Sequence, residues 1–351
     1  MGRPPERELV SAQAGLAAAV AVETGGELGE GLEPVRARTY WEQVWIRFKR
    51  DKVAIASGIF IIFLVLVAIA GGPIAASLLG HGPNDLFFGG VNDDLLPVGP
   101  WTHIPDSNHP GQTTLFVLGA DGTLGRDEFL RLLYGARVSL EVAVMSTLGV
   151  MLIGVLLGTI AGYFRGWIDT IISRIIEVTM AFPALLFIIA LAATVGERLN
   201  NITFGGTFGK GVITLVLVFS VFGWFYPARI VRSQVLSLRE KEFVEAARMV
   251  GASDWRIMRS HVLPHLVAPI VVVSTLIVAQ YILGEAGLSF LGLGVKLPTA
   301  SWGNLLATAP DFYTSQPWLM VWPGLAVLLT TLAFNLLGDG LRDAFDPRAA
   351  H

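Results

Sequence analysis

Six stretches of at least 18 residues contain no Asp, Glu, Lys or Arg: 53–84, 142–164, 178–196, 211–228, 260–284 and 312–338. At about 1.5 Å per residue each can cross a hydrocarbon core of roughly 30 Å, the shortest only just. The runs are continuous rather than alternating, which selects helices over barrel strands. One such run fits a buried helix of a soluble protein; six in one chain do not. The composition agrees, with 53% apolar and 15% charged residues and a mean hydropathy of +0.61, against roughly 25% charged in soluble domains. The expected fold class is an all-α membrane protein with six transmembrane helices.

Charge then orients the chain. With both termini inside, the cytoplasmic segments carry 19 of the 25 Lys and Arg residues, including seven between spans four and five. The opposite topology inverts this asymmetry and breaks the positive-inside rule. The net charge of −3 and the lack of a concentrated basic tract give no electrostatic footprint for nucleic acid. With no cysteine in the chain, disulfides, thiolate metal sites and a cysteine nucleophile are excluded.

Residues 1–38 show no sustained period and read as a disordered cytoplasmic tail. Over 39–52, Tyr40, Trp41, Val44, Trp45 and Phe48 share a helical face flanked by Arg47, Lys49, Arg50 and Lys52, the pattern of an interfacial helix. The first span follows at 53–79. Residues 80–137, rich in Gly, Pro, Asp and Asn, read as an external loop with a lead-in helix, functional or disordered by its length. Its His81, His103 and His109 match no metal-ligand spacing and read as solvent-exposed. The five-helix core is expected over 138–338, with a cytoplasmic tail at 339–351. In span two Gly154, Gly158 and Gly162 form a small-residue face fit for close helix approach, within the chain or at a subunit seam. Pro183, Pro227 and Pro269 mark expected kinks.

Few residues can carry chemistry. The Gly205–Gly211 stretch imitates a phosphate loop, but Phe204 stands where its first Gly belongs and Gly211 where its Ser or Thr belongs. Glu177 opens span three and Glu285 ends the charge-free part of span five; transport roles and simple pairing or snorkelling are both open for them. The most informative segment is 239–264. There a short helix should stop at Gly251 in a left-handed conformation, Ser253 or Asp254 should cap a second helix, and Pro264 should end or bend it. Such a hairpin, with the small face of Ala246 and Ala247, either slots into a partner's groove or is a surface hairpin without one.

Glu245-Ala246-Ala247, then Gly251, then His261-Val262-Leu263-Pro264 resembles the EAA loop of permease subunits in bacterial ABC importers. The HVLP ending is similar to that of C-type permeases of the dipeptide, oligopeptide and nickel importer family. Further matching motifs are Gly125-Arg126-Asp127, Tyr134-Gly135-Ala136-Arg137, Ala181-Phe182-Pro183, Glu285-Ala286-Gly287-Leu288-Ser289, Ser301-Trp302-Gly303 and Asn335-Leu336-Leu337-Gly338-Asp339-Gly340. The resemblance covers about residues 40–348.

That resemblance implies a multi-pass subunit of the bacterial cytoplasmic membrane with no catalytic residue, cofactor or metal of its own. It implies a heterodimer with a second homologous permease and two ATP-binding cassette subunits that hold ATP and Mg. It also implies an external solute-binding protein, a peptide substrate and contact with membrane lipid. Carried onto this sequence, Glu245, Ala246, Ala247, Gly251, Asp254, Leu263 and Pro264 form the ATPase-coupling hairpin, and the substrate pathway has no readable residue code. Import of nickel or another small solute is the alternative cargo, and an ion-driven secondary transporter the rival class.

Overall fold

The computed structural model describes residues 39–106 and 111–346. The expected disordered tail at 1–38, His109 and the last residues of the C-terminal tail lie outside the described residues. Among the described residues, 39–46 belong to one unit and 47–346 to a second. The first contributes most of α1 (Tyr40–Phe48), on which Tyr40, Trp41 and Trp45 are exposed.

In the second unit the spans follow the apolar runs, with different ends. Span one is α2 (Lys52–Leu66), a π-helical turn at Val67–Gly71, and α3 (Gly72–Leu79). Its start is fixed by Asp51, whose Oδ1 accepts from the Val53 and Ala54 amides at 2.9 and 3.0 Å, satisfying donors that a helix start leaves unpaired. Span two is α4 (Glu128–Phe164), 37 residues long, so the expected lead-in helix is the first part of the span itself. Span three is broken into α5 (Gly166–Ala181) and α6 (Ala184–Leu199), bent by 87° at Phe182–Pro183. Span four is α7 (Val212–Gly223) and α8 (Phe225–Leu238), bent by 41°. It does not end at Pro227, which lies in the first turn of α8, where a missing N–H costs nothing.

A short helix pair, α9 (Glu242–Met249) and α10 (Asp254–Ile257), precedes a π-helical turn at Met258–Val262 and α11 (Leu263–Phe290). Asp254–Phe290 runs as one 37-residue helical unit, so Pro264 neither terminates nor breaks it. The wide turn absorbs the proline: the Leu263 amide reaches back five residues to the Met258 carbonyl. α12 (Trp302–Thr308) leads to α13 (Trp318–Phe345), which carries helix through Asp339, Arg342 and Asp343 into the expected tail.

Among the described residues, four long helices and two bent pairs give up to six spans. A shared core joins spans one, two, five and six through Leu64, Ala68, Leu140, Ala143, Ile282 and Phe334. Outward-facing Ile59, Ile62, Leu148 and Leu152 remain exposed, as lipid- or partner-facing surfaces are.

The segment after span one corrects the expectation of a loop without strands. It forms two small antiparallel sheets, β1 (Thr102–Pro105) with β2 (Thr113–Phe116) and β3 (Ala120–Asp121) with β4 (Arg126–Asp127). They enclose a core of Phe87, Ile104, Phe116 and Ala120. His81 is buried rather than solvent-exposed, whereas His103 is exposed. The His81 ring lies 3.0 Å from Asp127 Oδ2 through Nε2 and 3.1 Å from the Leu79 carbonyl through Nδ1. The Thr114 hydroxyl, 3.3 Å from Nδ1, can donate or accept there, so the ring contacts admit the neutral imidazole as well, and it is the Asp127 carboxylate at Nε2 that favours the imidazolium. Asp127 Oδ1 also caps α4 through the Phe129 and Leu130 amides.

Candidate coupling site

The hairpin between spans four and five is built from its turn outward. At the end of α9 the Ala252 amide donates to the Ala247 carbonyl at 3.0 Å and the Gly251 amide to Arg248 at 2.9 Å. These paired bonds form a Schellman stop, and Gly251 at φ +85° supplies the left-handed residue. A β-carbon there would meet nothing within 4 Å, so the demand for glycine comes from backbone conformation alone. Glu242 and Glu245 stand in the first turn of α9 and Arg248 in its last, the order that the helix dipole favours.

The inner face of the hairpin is anchored. Val244, Ile257, Met258, Val262 and Leu266 join Tyr163, Val231 and Val235 in one buried cluster, with Ala247, Ala252 and Leu263 packed on it. Phe243 stacks on His265 with ring centroids 5.0 Å apart. The strongest brace runs to the end of α4. The Tyr163 hydroxyl donates to Asp254 Oδ1 at 2.7 Å, Arg239 donates to the Tyr163 carbonyl, and Arg165 pairs with Glu240. The Arg239 and Arg248 guanidinium carbons lie 5.8 and 5.5 Å from the Tyr163 ring centroid, within cation–π range.

The seven residues singled out from the sequence divide by face. Glu245 and Ala246 are exposed, and among the described residues the Glu245 side chain has no bonded partner. Ala247 is half-buried, and Gly251 forms the exposed turn. Asp254 faces inward to Tyr163; it is not the helix cap, a position taken by Ser253 without a side-chain bond. Leu263 and Pro264 lie beyond the π-helical turn, Leu263 against the core and Pro264 exposed.

Sequence reasoning missed the outward apolar ledge of Met249 (83% exposed), Val250 (89%) and Trp255 (65%). A signal was present. Buried Val244 sets the inner stripe at Ala247 and Arg248, so Met249 and Val250, five and six residues on, fall on the other face. The bracing roles of Tyr163 and Arg239 depend on contacts distant in sequence and are not legible there.

The small-residue face of span two resolves to packing within the chain. A β-carbon on Gly154 would lie 2.8 Å from Pro227 Cγ, on Gly158 2.5 Å from the Ala228 carbonyl oxygen, and on Gly162 2.8 Å from that of Arg232. All three contacts fall on α8. Glu285 neither snorkels nor finds a cation. Fully buried, it accepts from the Ser139 and Ser289 hydroxyls at 2.7 Å each, and Ser139 in turn accepts from the Trp302 amide at 3.1 Å. Glu177 is exposed and paired with Arg174.

Residues 154–351 match the family described as binding-protein-dependent transport system inner membrane component. Residues 39–97 match the N-terminal TM domain of oligopeptide transport permease C. The glutathione transport system permease protein GsiD of Pectobacterium atrosepticum is 39% identical over 89% of this chain and 92% of its own length. The dipeptide transport system permease protein DppC of Alkalihalophilus pseudofirmus is 37% identical over 88% and 90%. Among solved structures, the inward-facing methionine ABC transporter MetNI aligns with a TM-score of 0.49 and 18% identity, over 62% of this chain and 97% of that one. A chain whose C-terminal half and N-terminal span both match, and whose relatives align almost end to end, belongs to the family of binding-protein-dependent transport system inner membrane components.

Proposed function

We propose that this chain is one of two permease subunits of an ATP-driven importer of small peptides, coupled to its ATPases through the 239–264 hairpin. Relatives named for dipeptide and glutathione transport support peptides of two or three residues as cargo. In this reading both termini and the hairpin are cytoplasmic, ATP and Mg sit in the partner cassettes, and this subunit transmits force without catalysing hydrolysis. A homologous permease completes the pathway, and an external solute-binding protein delivers the peptide. Exposed Phe88, Leu95 and Trp101 on the external segment give that protein apolar contact points.

The observation that carries the coupling role is a hairpin exposed on one face and bolted to span two on the other. Glu245, Ala246, Met249, Val250 and Trp255 present an outward surface, while Tyr163 ties the turn to the end of α4. A cassette that grips the outer face moves α4 and α11 together. Extraction of the tagged chain in mild detergent should recover a second six-span protein and nucleotide-binding chains, with peptide uptake that stops on ATP depletion and survives collapse of the proton gradient. A chain that transports alone, or on the gradient, contradicts the proposal.

A further inference from the structure

We propose that the outward face of α5 is a wall of the transport route, on which Arg174 and Glu177 meet the carboxylate and ammonium ends of a passing peptide. This rests on the peptide-importer reading above. One side of α5 is committed to its neighbours: Asp169 is held by Arg232 Nη2 at 2.7 Å, and Ile176 is 4% exposed. At 100° per residue the open arc divides lengthwise into two stripes. Thr170, Arg174, Glu177 and Ala181 make a largely polar one, and Trp167, Ile171, Ile175 and Val178 an apolar one beside it; all eight are exposed.

Arg174 Nη1 donates to Glu177 Oε2 at 2.7 Å, with the side chains 75% and 60% exposed. Ionised groups within a span turn to a bundle interior or a wet cavity, not to lipid. The pair also sits between two landmarks. α5 begins beside Arg165, which is bound to Glu240 at the hairpin, and at about 1.5 Å per residue Arg174 and Glu177 lie roughly 14 and 18 Å farther along. The stripe ends at the 87° bend, beside a cavity of about 160 Å³ lined by Val178, Phe182, Phe187, Phe222 and Phe225 among others. A polar stripe leading to an aromatic cleft gives a wet vestibule below a dry constriction. Arg174 spends one N–H on Glu177, which leaves donors for a carboxylate, and Glu177 Oε1 is left to accept from an ammonium.

The cysteine-free chain allows a direct test. Single cysteines at Thr170, Arg174 and Glu177, and at Ile171 and Ile175, are placed in the assembled complex in inside-out vesicles and treated with a membrane-impermeant charged thiol reagent. The polar-stripe positions should react at least about tenfold faster, because the reagent needs a hydrated thiolate, and should slow when vanadate traps the ATPases closed. Equal rates on both stripes, or rates indifferent to the trap, overturn the wall. In complexes that assemble normally, Arg174→Gln should raise KM several-fold for a free dipeptide and leave that for its C-terminal amide unchanged; an equal rise for both overturns the carboxylate contact. Uptake by the parent complex is measured alongside. If it carries no peptide the cargo reading fails, while the labelling pattern still judges the wall.

Discussion

His81 shows how much a single buried group can alter a sequence reading. Burial pulls its pKa down, but the hydrogen bond and charge of Asp127 outweigh this, and the net direction is upward from 6.5. Its contribution to the segment after span one is therefore complete below about pH 6.5 and is lost as pH rises through the higher folded-state value. Limited proteolysis of residues 80–127 should accelerate across that rise in the parent, and show no such step in His81→Gln. An identical pH profile in both would contradict the ion pair. Nothing local in Gly80-His81-Gly82 announces a partner 46 residues away, which is why the histidine reads as exposed from sequence. Glu285 makes the complementary case: the sequence shows a carboxylate at a span's edge but not the two serines that hold it. Glu285→Gln keeps an acceptor and a donor for those hydroxyls and should retain uptake. Glu285→Ala leaves both buried hydroxyl hydrogens without their acceptor, although each oxygen keeps its amide donor, and should cost about 1–3 kcal/mol each, read as a lower melting temperature of the complex. Loss of uptake in a fully assembled Glu285→Gln complex would instead assign it a proton-transfer role.

Among elements, each apolar run falls on one of the four long helices or two bent pairs, but charge does not locate their ends. Helix α8 continues through Arg229 and Arg232, and α13 through Asp339 and Arg342, because a helix follows backbone hydrogen bonding past the hydrocarbon boundary. The prolines mark two bends, 87° beside Pro183 and 41° near Pro227, and no break at Pro264, which a π-helical turn precedes. Proline chemistry gives the place; the neighbouring helices set the angle. The glycine face is legible in the same limited way: its close packing follows from the residues, its partner α8 only from the fold. Gly158→Val pushes a branched side chain into the Ala228 carbonyl, 2.5 Å from the β-carbon position. Overpacking of this kind costs about 1–3 kcal/mol, so the variant should insert but melt earlier. A melting temperature equal to that of the parent would contradict the contact between α4 and α8.

Across the molecule, the proposed coupling is a lever that would join a cytoplasmic partner to the bundle through the 239–264 hairpin. The Glu245-Ala246-Ala247 and Gly251 spacing reveals the hairpin and its turn in the sequence, whereas the ledge of Met249, Val250 and Trp255 and the brace at Tyr163 become visible only once α9 has a buried face. Interface anchors of this type carry about 1–2 kcal/mol or more each. Trp255→Ala should therefore weaken recovery of the ATPase subunits about tenfold without altering span insertion, and undiminished recovery would remove the ledge from the interface. Tyr163→Phe should leave recovery intact and lower uptake, since it cuts the brace and spares the outer face. The most direct measurement is the ratio of peptide taken up to ATP hydrolysed by Gly251→Val in proteoliposomes holding the complete complex. A β-branched residue at φ +85° costs about 1–2 kcal/mol and reshapes the turn in open space. The account predicts a complex that assembles and hydrolyses ATP with uptake reduced severalfold, and an unchanged ratio would contradict the hairpin as the coupling element.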